Sequence, residues 1–254
     1  MRVATFNILH GRTVGDVVDA ARLYDGIRRL EPDILALQEV DLDQERSGNV
    51  DLTAVAAEAM DAVDHRFVPA ISGTPGSRWT AATGAEQPGS AAYGISLLSR
   101  FPVSDWRVLR LPHIPARIPV YVSVPRRVVV MHEEPRAAVV AQLDTPLGPL
   151  TVLNTHLSFV PGWNRHQLRR ITAALRDLPG PRLIVGDLNL SSAAAQRWSG
   201  LRTLAVSPTF PAHRPRRQLD HILTDDPGLL VRHRETPLMP ISDHRPLLVD
   251  IHRQ

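Results

Sequence analysis

The chain has 254 residues, 43% hydrophobic and 22% charged, a balance that excludes wholesale disorder in a chain long enough to bury a large core. It contains no cysteine, which removes disulfides, thiol catalysis and cysteine-held metals, and all 29 basic residues are arginine, which removes Schiff-base and P-loop lysines. A formal net charge of +3 tolerates an anionic substrate without demanding one.

Residues 2–8 alternate and are rich in β-formers, so they predict a strand. From Val14 to Leu30 the apolar positions Val17, Val18, Ala21, Leu23, Ile27 and Leu30 fit a helix closed by Pro32. Residues 33–40 form a short apolar run that reads as a buried strand. Residues 51–63 predict a helix with Asp51 as its cap. Residues 71–91, rich in Gly, Ser, Thr, Ala and Pro, read as a loop. Strands follow at about 93–99, 103–110, 119–124, 127–131, 136–143 and 149–157, the last two joined by a turn at 145–148. Leu168, Ile171, Leu175 and Leu178, spaced 3, 4 and 3, predict a helix stopped by Pro179-Gly180. A buried strand at 183–188 and a Pro- and Arg-rich loop at 207–217 come next, then strands at about 219–224, 229–235 and 247–252.

This order mixes α-β units with hairpins and shows no repeat or linker. It predicts one α/β domain over 1–254, with two mixed β-sheets packed face to face and helices outside. The amino terminus lacks the basic stretch and cleavage site of a signal peptide. No run approaches the roughly 20 apolar residues of a membrane span. The expectation is a cytoplasmic monomer with no integral membrane segment.

Several apolar strands end in acid, amide or imidazole groups: Asn7; Glu39; Asn154 and His156; Asp187 and Asn189; Asp220 and His221; and Ser242, Asp243 and His244. Burying such groups is unfavourable unless they are paired or bind metal. Asn7, Glu39, Asp187, Asn189 and Asp243 are oxygen donors, which suit Mg²⁺ or Mn²⁺ better than zinc. His156 and His244 can donate to phosphoryl oxygens or move protons, and Asp220 could orient one of them. Such a set suits attack of water on a phosphoester. No nucleophile elbow, Gly-rich dinucleotide loop or HExxH is present.

Taken in order, Thr5-Phe6-Asn7-Ile8, Leu37-Gln38-Glu39-Val40, Tyr93-Gly94, Asn154-Thr155-His156-Leu157, Gly186-Asp187-Leu188-Asn189, Leu219-Asp220-His221-Ile222 and Ser242-Asp243-His244-Arg245-Pro246 carry a resemblance. The chain resembles the endonuclease/exonuclease/phosphatase superfamily, the deoxyribonuclease-I-like phosphoesterases. Residues 46–51 and Glu134-Pro135-Arg136 are similar to its small bacterial metal-dependent hydrolases. The resemblance implies a four-layer α/β sandwich and a Mg²⁺- or Mn²⁺-dependent phosphodiesterase. It makes Glu39 the principal metal ligand, helped by Asn7 and Asp243. Asp187 and Asn189 would position the attacking water or hold a second metal. His156 would bind or protonate a phosphate oxygen, and His244, oriented by Asp220, would bind the scissile phosphate or act as acid/base. One departure is Ile95-Ser96-Leu97, where the small hydrolases often carry Asn after the Gly.

Each residue also has a plainer reading. Asn7, Asp243 and His244 could be turn caps, Asp187 and Asn189 an Asx turn, and Asp220 a structural partner of an arginine. For His221 core packing is the better reading. Arg46 is a substrate contact or a loop arginine, and Arg136 a phosphate fork or a strand-face residue. The run at 214–217 reads better as a solvated loop than as a polyanion contact. The substrate classes are a phospholipid headgroup, a small phosphodiester or nucleic acid. The rivals are a nuclease, a non-catalytic phosphate-binding module on the same fold, and a zinc hydrolase built on His10, His156 and His244.

Overall fold

Strands whose two faces are both apolar need cover on each side, and the chain supplies it in layers. The computed structural model describes the chain apart from residues 14, 88, 115–116 and 124–125 and the side chains at 118, 120–129 and 131. Its strands are β1 (Arg2–Asn7), β2 (Ile34–Leu42), β3 (Asp64–Gly73), β4 (Trp79–Ala81), β5 (Ala92–Ser99), β6 (Val103–Leu111), β7 (Arg117–Ser123) and β8 (Arg126–His132). They continue as β9 (Arg136–Thr145), β10 (Gly148–His156), β11 (Arg182–Asp187), β12 (Arg202–Thr203), β13 (Asp220–Thr224), β14 (Leu229–Glu235) and β15 (Leu247–Arg253). The helices are α1 (Ala20–Leu30), α2 (Leu52–Ala59), α3 (Trp163–Leu175) and α4 (Ser192–Ser199).

One sheet runs β14-β15-β1-β2-β5-β3-β4 and the other β12-β13-β11-β10-β9-β6, while β7 and β8 form a separate hairpin. Both large sheets are mixed: β1 and β2 are parallel, as are β10 and β11, and their other neighbours are antiparallel. Inward residues such as Val3, Ala36, Val139, Val152 and Val185 form the core between the sheets. The alternate residues face out: Ala4, Leu35 and Leu37 meet Leu23, Ile27 and Leu52 of α1 and α2, and Ala138, Leu153 and Ile184 meet Leu168 and Ile171 of α3. This is the predicted sandwich of two sheets with helices outside.

Several predicted boundaries move. Val14 lies outside the described residues. The first helix begins only at Ala20, because Asp19 caps it through Arg22 N and Arg12 bridges Val18 instead; Val17 is 62% exposed. Asp51 does cap α2, which ends at Ala59 rather than at 63. The predicted loop at 71–91 contains the end of β3 and all of β4, which pair with each other. β3 escapes sequence reading because it opens on the polar Asp64, His65 and Arg66 and carries Pro69. α3 starts five residues before the predicted Leu168, and the eight-residue α4 was too short for periodicity to show. The strand predicted to reach 124 ends at Ser123, and residue 124 is not described.

The two parallel pairs end at the same edge of the sandwich. Register sets Asn7 beside Gln38 on the first sheet, and His156, Asp187 and Asp220 side by side across three strands of the second. A buried polar clamp holds the sheets together there. Gln38 Nε2 donates to Asn154 Oδ1 at 2.8 Å, and Asn154 Nδ2 donates to the carbonyls of Leu37 and Ser96 at 2.9 and 2.7 Å. A fully satisfied network of this kind fixes one sheet against the other.

Candidate active site

Glu39 leaves the sheet at a bulge. β2 loses register with β5 between Gln38 and Val40, and Glu39 takes a φ of +57°, so its carboxylate turns out of the ladder toward the strand ends. A positive φ is unfavourable for a residue with an ordinary side chain, and strain of this sort gathers at functional sites. Gly186 answers a similar need on the other sheet. Its φ is +139°, and a Cβ there would lie 1.9 Å from the carbonyl oxygen of Thr155, so only glycine brings β11 against β10 just before Asp187.

These devices put the polar strand ends into one cleft of about 360 Å³, lined by Glu39, Asp187, Asn189, His156, His244 and Arg136 among others. The Asn7 amide bridges its two carboxylates, donating from Nδ2 to Glu39 Oε1 at 2.9 Å and to Asp187 Oδ2 at 3.1 Å. Asp187 Oδ1 accepts from the Asn189 backbone N–H at 3.0 Å. His156 Nε2 and His244 Nε2 approach Asp187 Oδ2 to 3.6 and 3.8 Å. His244 Nδ1 donates to Asp220 Oδ2 at 2.9 Å, and the Phe210 ring lies against its imidazole, 4.9 Å between centroids.

Charge is unevenly settled here. Burial raises the pKa of Glu39, against the lowering effect of the Asn7 hydrogen bond. Burial and the nearby Asp220 charge raise that of Asp187. Burial also opposes a charge on His244, but the Asp220 charge and hydrogen bond overcome it and lift the imidazole to about 10. Burial, with Arg136 and His244 adding to it, pushes His156 well below the usual histidine range.

The donor set fits a hard divalent cation. Two carboxylates sit close enough to share one amide, and burial disfavours their charge, so a cation beside Glu39 would relieve both. Asp187, Asp220 and His244 also offer ligand atoms within 4.8 Å of one another. His244 Nδ1 there occupies Asp220 Oδ2, while Asp220 Oδ1 is buried without a hydrogen-bond partner. Among the described residues no cluster joins His10, His156 and His244, so the three-histidine zinc site is absent there.

The sequence profile of the endonuclease/exonuclease/phosphatase family matches residues 4–244, a span that contains every strand end just described. The chain belongs to the endonuclease/exonuclease/phosphatase family. It is similar to the crystal structure of an endonuclease/exonuclease/phosphatase from Beutenbergia cavernae, at 24% identity and a TM-score of 0.73 over 100% of this chain and 71% of that one. A Bacteroides vulgatus family protein aligns at 21% identity and a TM-score of 0.69, over 100% of this chain and 98% of that one. The mannosyl-6-phosphatase Bt3783 of Bacteroides thetaiotaomicron aligns at 15% identity and a TM-score of 0.62, over 99% of each chain. These likenesses show the shared fold. No curated protein matches the sequence significantly. The endonuclease/exonuclease/phosphatase family is one of phosphoester hydrolases, generally dependent on divalent metals. Among the described residues no helix is long and apolar enough to cross a membrane.

Set within this family fold, Asn7, Glu39, His156, Asp187, Asn189, Asp220 and His244 lie together. Asp243 does not line that cleft. It is exposed in a neighbouring depression with Leu9, Arg12 and Ser242, and only its charge reaches Glu39 and His244. Arg46 lies behind Tyr93, with Nη2 and Nε on the buried Asp41 at 2.6 and 2.8 Å, so its fork is already held. Arg136 reaches the cleft wall but turns Nη1 to His156 at 3.2 Å. His221 is buried in the core, its Nε2 on the Leu190 carbonyl at 2.9 Å. Sequence reasoning missed the walls formed by Tyr93, Phe159, Phe210 and Leu219. Arg217, from the run read as a solvated loop, also lines the cleft. A bridge between Phe210 and Arg217 folds that loop back over the site, and nothing local in the sequence marks it.

Proposed function

We propose that the protein is a Mg²⁺- or Mn²⁺-dependent phosphodiesterase in which water attacks phosphorus in line. Glu39 holds the ion with help from Asn7, and Asp243 adds negative charge from the rim. The ion, when bound, offsets the charge that builds on the phosphoryl oxygens. Asp187, with its raised proton affinity, draws a proton from the water, which Asn189 helps to orient. His156 donates a hydrogen bond to a phosphoryl oxygen. His244, charged and held by Asp220, faces the negative charge that develops on the leaving oxygen and gives it a proton as the scissile P–O bond breaks.

The observation that carries this reading is the meeting of both carboxylates at the Asn7 amide and of both imidazoles at Asp187 Oδ2. Formal charge supports a diester. Glu39, Glu134 and Asp187 balance Arg136, Arg217 and protonated His244 along the cleft, and Asp220 behind His244 with Glu133 behind Arg136 leaves two excess negative charges. A divalent cation brings that to neutrality, and a cleft without excess positive charge suits a singly charged diester better than a doubly charged monoester. The test is hydrolysis of bis-(p-nitrophenyl) phosphate and p-nitrophenyl phosphate with Mn²⁺ and after chelation. Metal-dependent cleavage with preference for the diester is expected. A lack of any metal-dependent cleavage in a folded protein would overturn the proposal.

A second reading, nucleic acid as the diester, draws on α3 and α4. Arg165, Arg169 and Arg197 gather around the Trp198 ring, with guanidinium-to-centroid distances of 5.5, 4.3 and 5.8 Å, and neither helix carries an acidic residue. Asn164 in the first turn of α3 donates to the Asn189 carbonyl at 3.0 Å, so this face adjoins the cleft. A nuclease would lose oligonucleotide affinity steeply as salt rises, whereas an enzyme of phospholipid headgroups or small diesters would not.

A further inference from the structure

Arg136 opens β9 and His156 closes β10, and their side chains meet in the cleft wall. Arg136 is only 6% exposed. Among the described residues its guanidinium makes one hydrogen-bond contact, from Nη1 to His156 Nδ1 at 3.2 Å. Glu133 and Glu134 neutralise it at longer range, 4.0 Å from Nε and 3.8 Å from Nη2, and Nε has no hydrogen-bond partner.

A guanidinium donates and never accepts. His156 Nδ1 is therefore the acceptor and carries no proton. The ring proton belongs on Nε2, which stands 3.6 Å from Asp187 Oδ2. Asn189 Nδ2 lies 3.4 Å from the same Nε2 and donates one of its protons to the Leu157 carbonyl at 3.0 Å; a ring whose Nδ1 accepts must carry its proton on Nε2, so the 3.4 Å approach is a close contact and not a second acceptance. A second proton on His156 would press an N–H against another cationic N–H inside a buried wall, with protonated His244 across the cleft.

We propose that Arg136 is a positioning residue that fixes His156 in the tautomer with its proton on Nε2, so that His156 gives a phosphoryl oxygen a hydrogen bond and is not a proton source. The tautomer stands on geometry alone; its use toward phosphate rests on the function proposed above. The arrangement divides labour between two histidines that their motifs leave equivalent. His156 is a neutral donor and His244, backed by a carboxylate, is the charged one.

Nitrogen-15 spectra of histidine-labelled protein test this directly, with His156 assigned by the signals lost in His156→Asn. The expected wild-type pattern is a pyridine-like Nδ1 and a pyrrole-like Nε2 throughout the neutral pH range. A protonated Nδ1, or a ring averaging between tautomers, would overturn the proposal whether or not the protein hydrolyses phosphodiesters. Arg136→Gln should mix the tautomers and lower kcat on bis-(p-nitrophenyl) phosphate by up to about 10-fold, no more than the loss of the His156 ring itself, with KM little changed. Arg136→Lys, also a pure donor, should restore the tautomer and most of kcat. If Arg136→Gln folds and keeps both the wild-type spectrum and the wild-type kcat, the role is refuted. If it does not fold, the wild-type spectrum still decides.

Discussion

The cleft has two walls with a buried histidine on each, and the residues behind them have opposite charge. Behind His244 stands Asp220, fully buried, and the imidazole is lifted to about 10. Behind His156 stands Arg136, and the imidazole is pushed well below its usual range. Both rings turn Nε2 toward the same Asp187 oxygen. One side-chain type thus supplies a cation and a neutral donor in the same site, a difference set entirely by neighbours.

The comparison breaks hardest where the walls meet. Asp187→Asn should lower kcat by roughly 10⁴-fold, as loss of a central catalytic group does. The walls should then separate. His244→Gln removes a charge and should cost about 10³-fold in kcat, whereas His156→Gln keeps an N–H donor and should cost nearer 10-fold. Steady-state kinetics on bis-(p-nitrophenyl) phosphate measures all three, and equal losses at His244 and His156 would erase the distinction.

Asp220→Asn probes the His244 wall through pH. A histidine raised to about 10 stabilises the fold fully below its ordinary value of 6.5, and that contribution is lost as pH rises through about 10. Urea midpoints of the wild type should therefore carry a decline over this window that is much reduced in Asp220→Asn. The same substitution should bring the His244 titration, followed by NMR, down toward the ordinary range.

A gentler probe is Mn²⁺ itself. It should raise the wild-type melting temperature by a few degrees or more at saturation, through binding to the native state only, and do much less in Glu39→Gln. The smallest effect on turnover is expected at Arg46, outside both walls. Arg46→Ala should change kcat by no more than about threefold. It leaves Asp41 buried without its partner, which should lower unfolding free energy by about 1–3 kcal/mol in denaturant titrations.

Much of this site was legible because apolar strands that end in Asn7, Glu39, His156 and Asp187 are costly unless those ends meet something polar. Asn154 was legible as a polar strand residue, but not as the clamp between sheets, because its partners Gln38, Leu37 and Ser96 lie on distant strands. Asp243 and His244 are adjacent in sequence yet part company. The chain turns between the depression and the cleft, with Ser242 at a φ of +71°. Arg136 was readable as a possible phosphate fork, and only the register of β9 against β10 carries it to His156.

Local pattern alone determined the alternation that makes two-faced strands, the amphipathic α1 and α3, the Asp51 cap, and the oxygen and imidazole chemistry at the strand ends, since each depends on neighbours a few residues apart. Tertiary structure decided the bulge that turns Glu39 outward, the shared Asn7 amide, the aromatic walls, and which histidine is charged. Those depend on groups brought within a few ångströms from remote parts of the chain. Burial magnifies their electrostatics, and no short stretch of sequence contains both partners.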